Sequence, residues 1–258
     1  MPQAIDVVRR AFIDVSLGVI EQPNRVAVGN GSALAMIARH IESGATVLKA
    51  ITIRRDNRDR ALPNIQALVV WFDGLTGSPL AALDGASLTA MRTGAASGVA
   101  TDLLAAPDAS VLAIIGAGAQ APDQVRAVCA VRQIKEIRVA ARSSDSARRL
   151  AEKLEPELSP ARIVTCASVA EAVSPADVIC TATTSDKPLF EAGMLAERVH
   201  VNAIGAYTLA GGADQFRAAV AARRPGDSMT LTVRRDGADR VLTVSFPRVG
   251  AQDGAAAG

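Results

Sequence analysis

This 258-residue chain has little histidine, cysteine or net charge. Its two histidines, His40 and His200, are isolated, and its three cysteines, Cys129, Cys166 and Cys180, show neither a CxxC pair nor metal-type spacing. No metal site is expected. Cys180 sits inside the apolar run "ADVICTAT", where a buried, inert thiol is the better reading. His200 lies in "RVHVNAIG", alternating like a strand, and is assigned a structural role ahead of a catalytic one. The 28 basic and 26 acidic residues nearly cancel, leaving a net charge of +2. Nucleic acid as main partner would leave a clustered basic footprint instead. The densest run, "RRDNRDR" at 54–60, interleaves acids and reads as a solvated loop. No apolar stretch approaches the ~20 residues that span a bilayer. The start, "MPQAIDVVRRAF", has no signal-peptide layout. A reducing cytoplasm is the expected setting, with no membrane partner.

What the chain does have is apolar content, 49%, enough for a sizeable core. Its length suits one large or two ordinary domains of ~100–200 residues. Residues 3–18 place Ile5, Val8, Phe12 and Val15 at helical spacing. After the loop "EQPNR" come β-type stretches, "RVAV", "ALAMIA", "TVLKAITI" and "IQALVVWF", with no helices between them. "LVVWFDGLTGSPLAAL" reads as strand, turn, strand. The first lobe, 1–105, is therefore expected to hold a mostly antiparallel sheet, closed by a helix from about Thr89 to Leu104. From Ser110 strands alternate with helices, beginning with the continuous apolar run "SVLAIIG". That rhythm means βαβ units, and 106–210 is read as a doubly wound, Rossmann-type α/β lobe.

"IIGAGAQA" supplies Gly116, Gly118 and Ala121 in G-x-G-x-x-G/A spacing. The spacing alone is weak. Here it follows a buried-type strand and opens a helix, which is the confirming context for a dinucleotide site. Gly116 would allow the tight turn, Gly118 the approach of backbone to pyrophosphate, and Ala121 close helix–strand packing. Ala119 and Gln120 complete the candidate loop. Free N–H groups at the helix start would hold the phosphates, and Pro122 costs no donor there. For the second strand's end an NAD site expects an acid about 20 residues on. "AARSSDSARR" instead offers Arg142, Ser143 and Ser144, which suit a 2′-phosphate and favour NADP over NAD. The alternative makes Arg142 a surface residue and Asp145 the ribose ligand.

The stretches "QPNRVAV", "VLKAITI", "DGLTGSPLAALDGASLTAMRTGAASGVATDLLA", "IIGAGAQA", "DVICTAT" and "VNAIGAY" resemble the ornithine cyclodeaminase/mu-crystallin family. They span nearly all of residues 3–208, and the pairing of "LTAMRTGAAS" with "GAGAQ" is specific. The resemblance implies a substrate and dimerisation lobe followed by a Rossmann lobe, and a homodimer. It also implies an activity among cyclodeaminases, ketimine reductases, amino-acid dehydrogenases and cofactor-binding crystallins. It maps substrate binding onto Arg25, Lys49 and Arg92. Arginine grips a carboxylate bidentately. Arg92 falls in the first turn of its expected helix, where the dipole favours an anion. Lys49 is the only charge in "TVLKAITI", and partial burial would lower its pKa and suit it to proton transfer. Without the family, each of these three reads as a surface or snorkelling cation. The resemblance also brings Thr181, Thr183 and Ser185 to the nicotinamide side, and Asn202 and Gly205 to the pocket at the strand ends.

Cyclodeaminases carry an aspartate just after the "NAIG" strand; this chain has Tyr207. Reduction of a cyclic or linear imino acid is therefore preferred over cyclodeamination of ornithine, with a non-catalytic dinucleotide-binding protein as the further alternative. The family also carries a short segment before residue 3 and continues beyond "GAY". Here residues 213–246 instead resemble the second half of a PDZ domain: a helix over 214–223, then the strands "MTLTVRR" and "RVLTVSF" across "DGAD". The peptide-binding elements of such a domain lie in its other half, so peptide binding is not expected. The chain is expected to change domain near Gly211 and to end in a disordered tail, "GAQDGAAAG".

Overall fold

A computed structural model of the chain describes residues 1–60, 62–185, 188–204, 228–235 and 238–245. The chain divides into two compact units, Met1–Gly205 and Ala206–Gly258. The first begins with α1 (Pro2–Ser16), whose proline sits in the first turn, where its missing N–H costs nothing. Six short strands follow: β1 (Ile20–Glu21), β2 (Val26–Val28), β3 (Ala33–His40), β4 (Thr46–Ile53), β5 (Ile65–Phe72) and β6 (Pro79–Asp84). They form one antiparallel sheet in the order β1-β3-β4-β5-β6, with β2 also beside β3. The β5–β6 turn is tied by Asp73, whose Oδ1 accepts from the Leu75 and Thr76 amides at 3.0 and 2.8 Å. Those hydrogen bonds hold the Asp73 pKa below the usual carboxylate value.

Two features of this lobe differ from the sequence expectation. "RRDNRDR" winds into a 3-10 turn over Arg55–Arg60 instead of an open loop. Asn57 is buried within it and donates to the Pro63 carbonyl at 2.8 Å, which fixes the turn. The helix expected from Thr89 starts four residues earlier, as α2 (Gly85–Leu104). Asp84 caps it, accepting from the Ala86 and Ser87 amides at 3.0 and 3.1 Å. Gly85 looks like turn material but is required inside the helix: a Cβ there would stand 2.6 Å from the Ala67 Cβ of β5. Arg92 therefore sits two turns into α2, not in its first turn. The helix dipole, which acts within the terminal turn, lends it no anion preference.

The parallel lobe runs β7 (Val111–Ile115), α3 (Ala121–Val131), β8 (Glu136–Ala140), α4 (Ser144–Leu158), β9 (Arg162–Thr165), α5 (Val169–Val173), β10 (Val178–Thr181) and β11 (His200–Ala203). Every pairing is parallel, in the order β11-β10-β7-β8-β9. This is the doubly wound arrangement expected from the alternating pattern. The central strands β7 and β10 are buried on both faces, with Leu112, Ile114, Val178 and Cys180 fully enclosed. The strand order reverses between β7 and β10, the switch point where open α/β sheets leave a crevice at their carboxyl ends. In the second unit β12 (Ser228–Arg235) and β13 (Ala238–Ser245) pair antiparallel as the expected hairpin. The helix read over 214–223 and the tail lie outside the described residues.

The junction between the two sheets of the first unit is held by Arg132, just past α3. Its side chain is 8% exposed. It donates to the carbonyls of Thr101, Asp102, Ala105 and Ala106 at 2.8–3.0 Å. A helix ends with carbonyls that lack intrahelical donors; here one guanidinium reaches two carbonyls of the last turn and two just beyond it, and places a cation at the negative end of α2. Arg132→Met, which keeps the stem but not the donors, is expected to lower unfolding free energy by about 3 kcal/mol. Urea titration of the two proteins checks this, and an unchanged midpoint would show that water replaces the guanidinium without loss.

Candidate active site

The cradle at the switch point is built from the ends of four strands, β7, β8, β10 and β11. Ala182 N–H donates to the Ile115 carbonyl at 2.7 Å, Ile204 N–H to Thr181 O at 3.1 Å, and Gly116 N–H to Ala140 O at 2.8 Å. Gly116 adopts φ +103°, and a Cβ on it would lie 2.4 Å from the Ala182 carbonyl. Only glycine fits there. At Gly118 a Cβ would meet nothing within 4 Å, so the loop leaves open space above its backbone. Gly118 and Ala119 are exposed, while Ala121 is fully buried against the β7 core.

The helix that follows is left without a side-chain cap. Gln120, at the N-cap of α3, makes no capping hydrogen bond, whereas α2, α4 and α5 are capped by Asp84, Ser143 and Ser168. The buried Gln120 Oε1 has no partner. Free amides at a helix start, an open loop and an orphaned polar atom fit the pyrophosphate of a dinucleotide. On the far side of the cradle Thr181 is buried, and the half-buried Thr183 accepts from the Ser185 amide at 3.2 Å. At the end of β8, Arg142 and Ser144 are exposed. Ser143 caps α4 through the Ser146 amide at 3.2 Å, and Asp145 forms an ion pair with Arg148.

A pair of cations stands on the antiparallel lobe. Lys49, in the middle of β4, donates to the Thr89 hydroxyl of α2, and that hydroxyl donates to the Gly85 carbonyl at 2.5 Å. Arg92 follows Thr89 by three residues, on the same face of α2. Burial lowers the Lys49 pKa, and the nearby Arg92 charge lowers it further. Packing around Arg92 lowers its own pKa by desolvation, although its outer side is exposed and it stays charged. Neither side chain has a carboxylate partner among the described residues. Arg25 is exposed, one residue before β2. The register Val26↔Ala35 and Met36↔Lys49 puts it level with Lys49, two strands away.

Helices α2, which carries Arg92, and α3, which follows the glycine loop, cross in close contact. Gly94, two residues beyond Arg92, packs so closely on the first turn of α3 that a Cβ would stand 2.4 Å from the Asp123 carbonyl. Gly98, one turn on, has the Ile5 side chain of α1 in its notch. Small residues four apart in "GAASG" were the available signal for this contact, and the expected helix gave them no role. Gln124, on α3, was also missed: it is fully buried and both ends of its amide lack partners. Asn202 does not open into the cradle; its buried amide donates to Thr101 Oγ1 of α2 at 2.9 Å. His200 is half-buried and bonds Asn202 Oδ1 at 3.2 Å, and burial lowers its pKa. Tyr207 and Gly205 lie outside the described residues. No group of three His, Cys, Asp or Glu side chains among the described residues is placed to hold a metal ion. No described helix is long and apolar enough to cross a membrane.

Comparison with known proteins agrees with this architecture. Residues 1–214 match the model of the ornithine cyclodeaminase/mu-crystallin family. Delta(1)-pyrroline-2-carboxylate reductase of Bacillus cereus is 38% identical over 181 residues, covering 69% of this chain and 55% of the relative. Among solved structures, Thermococcus litoralis Delta(1)-pyrroline-2-carboxylate reductase in complex with NADH and L-proline superposes with a TM-score of 0.72 at 36% identity, over 77% of this chain and 62% of that one. An archaeal alanine dehydrogenase dimer with bound NAD gives the same TM-score at 32% identity, over 79% and 62%. The chain thus spans less than two thirds of the length of each.

The two loop glycines are expected to separate on substitution. Gly116→Ala forces both a strained φ and a backbone clash, so it should destabilise the fold by more than about 2 kcal/mol. Gly118→Ala should leave the melting temperature nearly unchanged while weakening dinucleotide binding about tenfold or more, because its Cβ enters space the loop keeps free. Thermal melts and fluorescence titration read the two effects apart. Equal melting losses in both variants would contradict the assignment.

Proposed function

Because the chain belongs to the ornithine cyclodeaminase/mu-crystallin family, we propose that it is an NAD(P)-dependent reductase of a cyclic or linear α-imino acid. The observation that carries the reading is the Lys49–Arg92 pair, two neighbouring cations without a carboxylate partner among the described residues, with α2 crossing the helix that follows the glycine loop. Such a pair is complete only when an anion enters. An α-imino acid brings a carboxylate next to a C=N bond. Arg92, with Arg25 level across the sheet, takes the carboxylate through its planar fork. Lys49, its pKa lowered, supplies the proton that the substrate nitrogen takes up. Thr89 fixes the Lys49 ammonium by accepting one of its protons. A bound nicotinamide supplies the hydride that the C=N carbon accepts. Gly116, Gly118, Ala119, Gln120 and Ala121 would hold its pyrophosphate, and Thr181, Thr183 and Ser185 would face its ring side.

NADP is the preferred form. Asp145, the acid that would grip a ribose 2′-hydroxyl, is tied to Arg148, whereas Arg142 is exposed at the end of β8 with no partner to displace among the described residues. An exposed guanidinium at the end of β8 suits a 2′-phosphate. The assembly is read as a homodimer. The sheet face turned away from α2 exposes Val26, Val28, Ile37 and Leu68, at 62, 58, 46 and 50%. An apolar face of this extent marks an interaction site, and a second copy of the same face is a self-complementary cover. The hairpin of the second unit fits the reading of 213–246 as resembling half of a PDZ fold.

Titration of the purified chain with NADPH and NADH, followed by turnover of Δ1-pyrroline-2-carboxylate, tests the proposal. NADPH-selective binding with turnover is the expected outcome; binding without turnover of any cyclic or linear imino acid would leave a dinucleotide-binding protein instead. Arg92→Leu is expected to lower kcat/KM on the order of 10²-fold, as loss of one side of a charge pair worth about 3 kcal/mol does. The protonated Lys49 is the working form, so activity should be full at lower pH and fall as pH rises through its depressed pKa. The alkaline limb should therefore lie below that of an ordinary lysine, and in Lys49→Arg it should move up or disappear. An alkaline limb at the ordinary lysine position would remove Lys49 from the proton step. Leu68→Glu should shift the species seen by light scattering from dimer to monomer.

A further inference from the structure

The second contact between α2 and the parallel lobe is polar, and nothing in the reading above gives it a purpose. Thr101 and Asn202 are both buried, Thr101 completely. Asn202, on the edge strand β11, uses its whole amide: Nδ2 donates to Thr101 Oγ1 at 2.9 Å and lies 3.6 Å from Cys180 Sγ of β10, while Oδ1 bonds His200 Nε2 at 3.2 Å. A buried amide is costly unless fully bonded, and an apolar pair of the same shape would hold the helix at least as firmly. What a directed bond adds is register. Apolar surfaces slide past one another; a 2.9 Å donor–acceptor pair does not.

α2 is also the element whose register matters. Thr101 lies nine residues beyond Arg92, about 14 Å along one rigid helix at 1.5 Å per residue. A shift of α2 along β11 is therefore carried undiminished to the Arg92 guanidinium. β11 in turn ends at Ala203, next to Thr181 of the cradle in the sheet register. The Gly94–Asp123 contact limits how near α2 comes to α3, since backbone meets backbone there. It does not limit sliding along the groove. The Arg132 bonds reach carbonyls of α2, which secures the helix end, but they come from the loop after α3 and not from the strand that borders the cradle.

We propose that Thr101 and Asn202 form a positioning latch that sets where α2 stands along β11, and with it the distance between the Arg92–Lys49 pair and the cofactor cradle. Asn202 is thereby a positioning residue and not a cofactor ligand. The catalytic consequence rests on the imino-acid reductase reading; the mechanical one does not.

The test compares the full chain with Thr101→Val, Thr101→Ser and the double variant Thr101→Val/Asn202→Leu. Four quantities are read: melting temperature, NADPH dissociation constant, kcat and KM for Δ1-pyrroline-2-carboxylate, and hydrogen exchange of α2 amides. Thr101→Val is expected to keep the NADPH constant within about twofold and to lower kcat about tenfold or more, since misplacement by an ångström costs up to about 10²-fold. Its α2 amides between residues 95 and 104 should exchange faster. Thr101→Ser, which keeps the hydroxyl, should restore kcat. The double variant removes the unpaired donor as well as the bond, so its melting temperature should recover while kcat stays low. Recovery of kcat together with melting temperature would reduce the pair to ordinary core packing. Loss of NADPH binding in the double variant, with α2 exchange unchanged, would make Asn202 a cofactor ligand and overturn the latch. If the parent chain binds NADPH but reduces no imino acid, the reductase reading falls; the exchange rates of Thr101→Val against Thr101→Ser then decide the latch alone.

Discussion

Backbone contact between α2 and α3 is the constraint on which the first unit depends. Helices with ordinary side chains pack with axes 8–10 Å apart; where Gly94 meets the Asp123 carbonyl, a single Cβ would already be 2.4 Å from that oxygen. The absence of a side chain at that point brings the antiparallel lobe's helix onto the first turn of the dinucleotide helix. Three consequences follow from the one contact. Arg92, two residues earlier, is carried on the same helix that crosses the start of α3. Gly98, four residues later, opens a notch that Ile5 of α1 fills, giving a small core of Ile5, Ala95, Val99 and Ala127. The helix end then falls where Arg132 can close its carbonyls.

Much of this was legible in the sequence, and what was not has physical reasons. The parallel strands announce themselves because both faces are buried, so "SVLAIIG" and "DVICTAT" read as continuous apolar runs. The antiparallel lobe shows in strands that follow one another through turns such as "DGLTG". The start of α2 was hidden because Gly85 and Ser87, in its first turn, are poor helix formers. Tertiary contact decided the matter: Gly85 is needed against Ala67, and Asp84, which reads as a strand end, is also the cap. Site residues show a similar division. Gly116 and Lys49 stand out because their neighbours make them unusual. Arg132, Thr101 and Gln124 do not, because an arginine after a helix, a threonine inside one and a glutamine near its start are all ordinary. Only the fold makes them buried. Asn202 was visible as a polar residue at a strand end, but which side of β11 its amide faces is a question the period of a strand leaves open.

The electrostatics of the site argue for its purpose more directly than its shape does. Lys49 and Arg92 repel one another, and the protein supplies no carboxylate to offset that cost among its described residues. Thr89 relieves part of it by turning its hydroxyl proton to the Gly85 carbonyl, which leaves its lone pairs for the Lys49 ammonium. The rest stands as stability given up at a functional site. A ligand anion recovers that cost on binding, which is why two neighbouring cations without a carboxylate partner among the described residues read as a carboxylate site and not as surface charge.

The same field bears on which carboxylate enters. A diamino acid such as ornithine carries a second ammonium, and a site for it needs an acid to offset the repulsion from Lys49 and Arg92. At the sequence position where cyclodeaminases resembling this chain place that acid, the residue is Tyr207. A phenol near neutral pH is uncharged and offers a hydrogen bond but no Coulomb attraction. An imino acid with an apolar or ring side chain asks for no such charge. It needs its carboxylate held, its nitrogen supplied with a proton, and its carbon presented to the cradle. On the proposed reading those three demands fall to Arg92, Lys49 and the glycine loop, and the balance of charge is the reason reduction is proposed ahead of cyclodeamination.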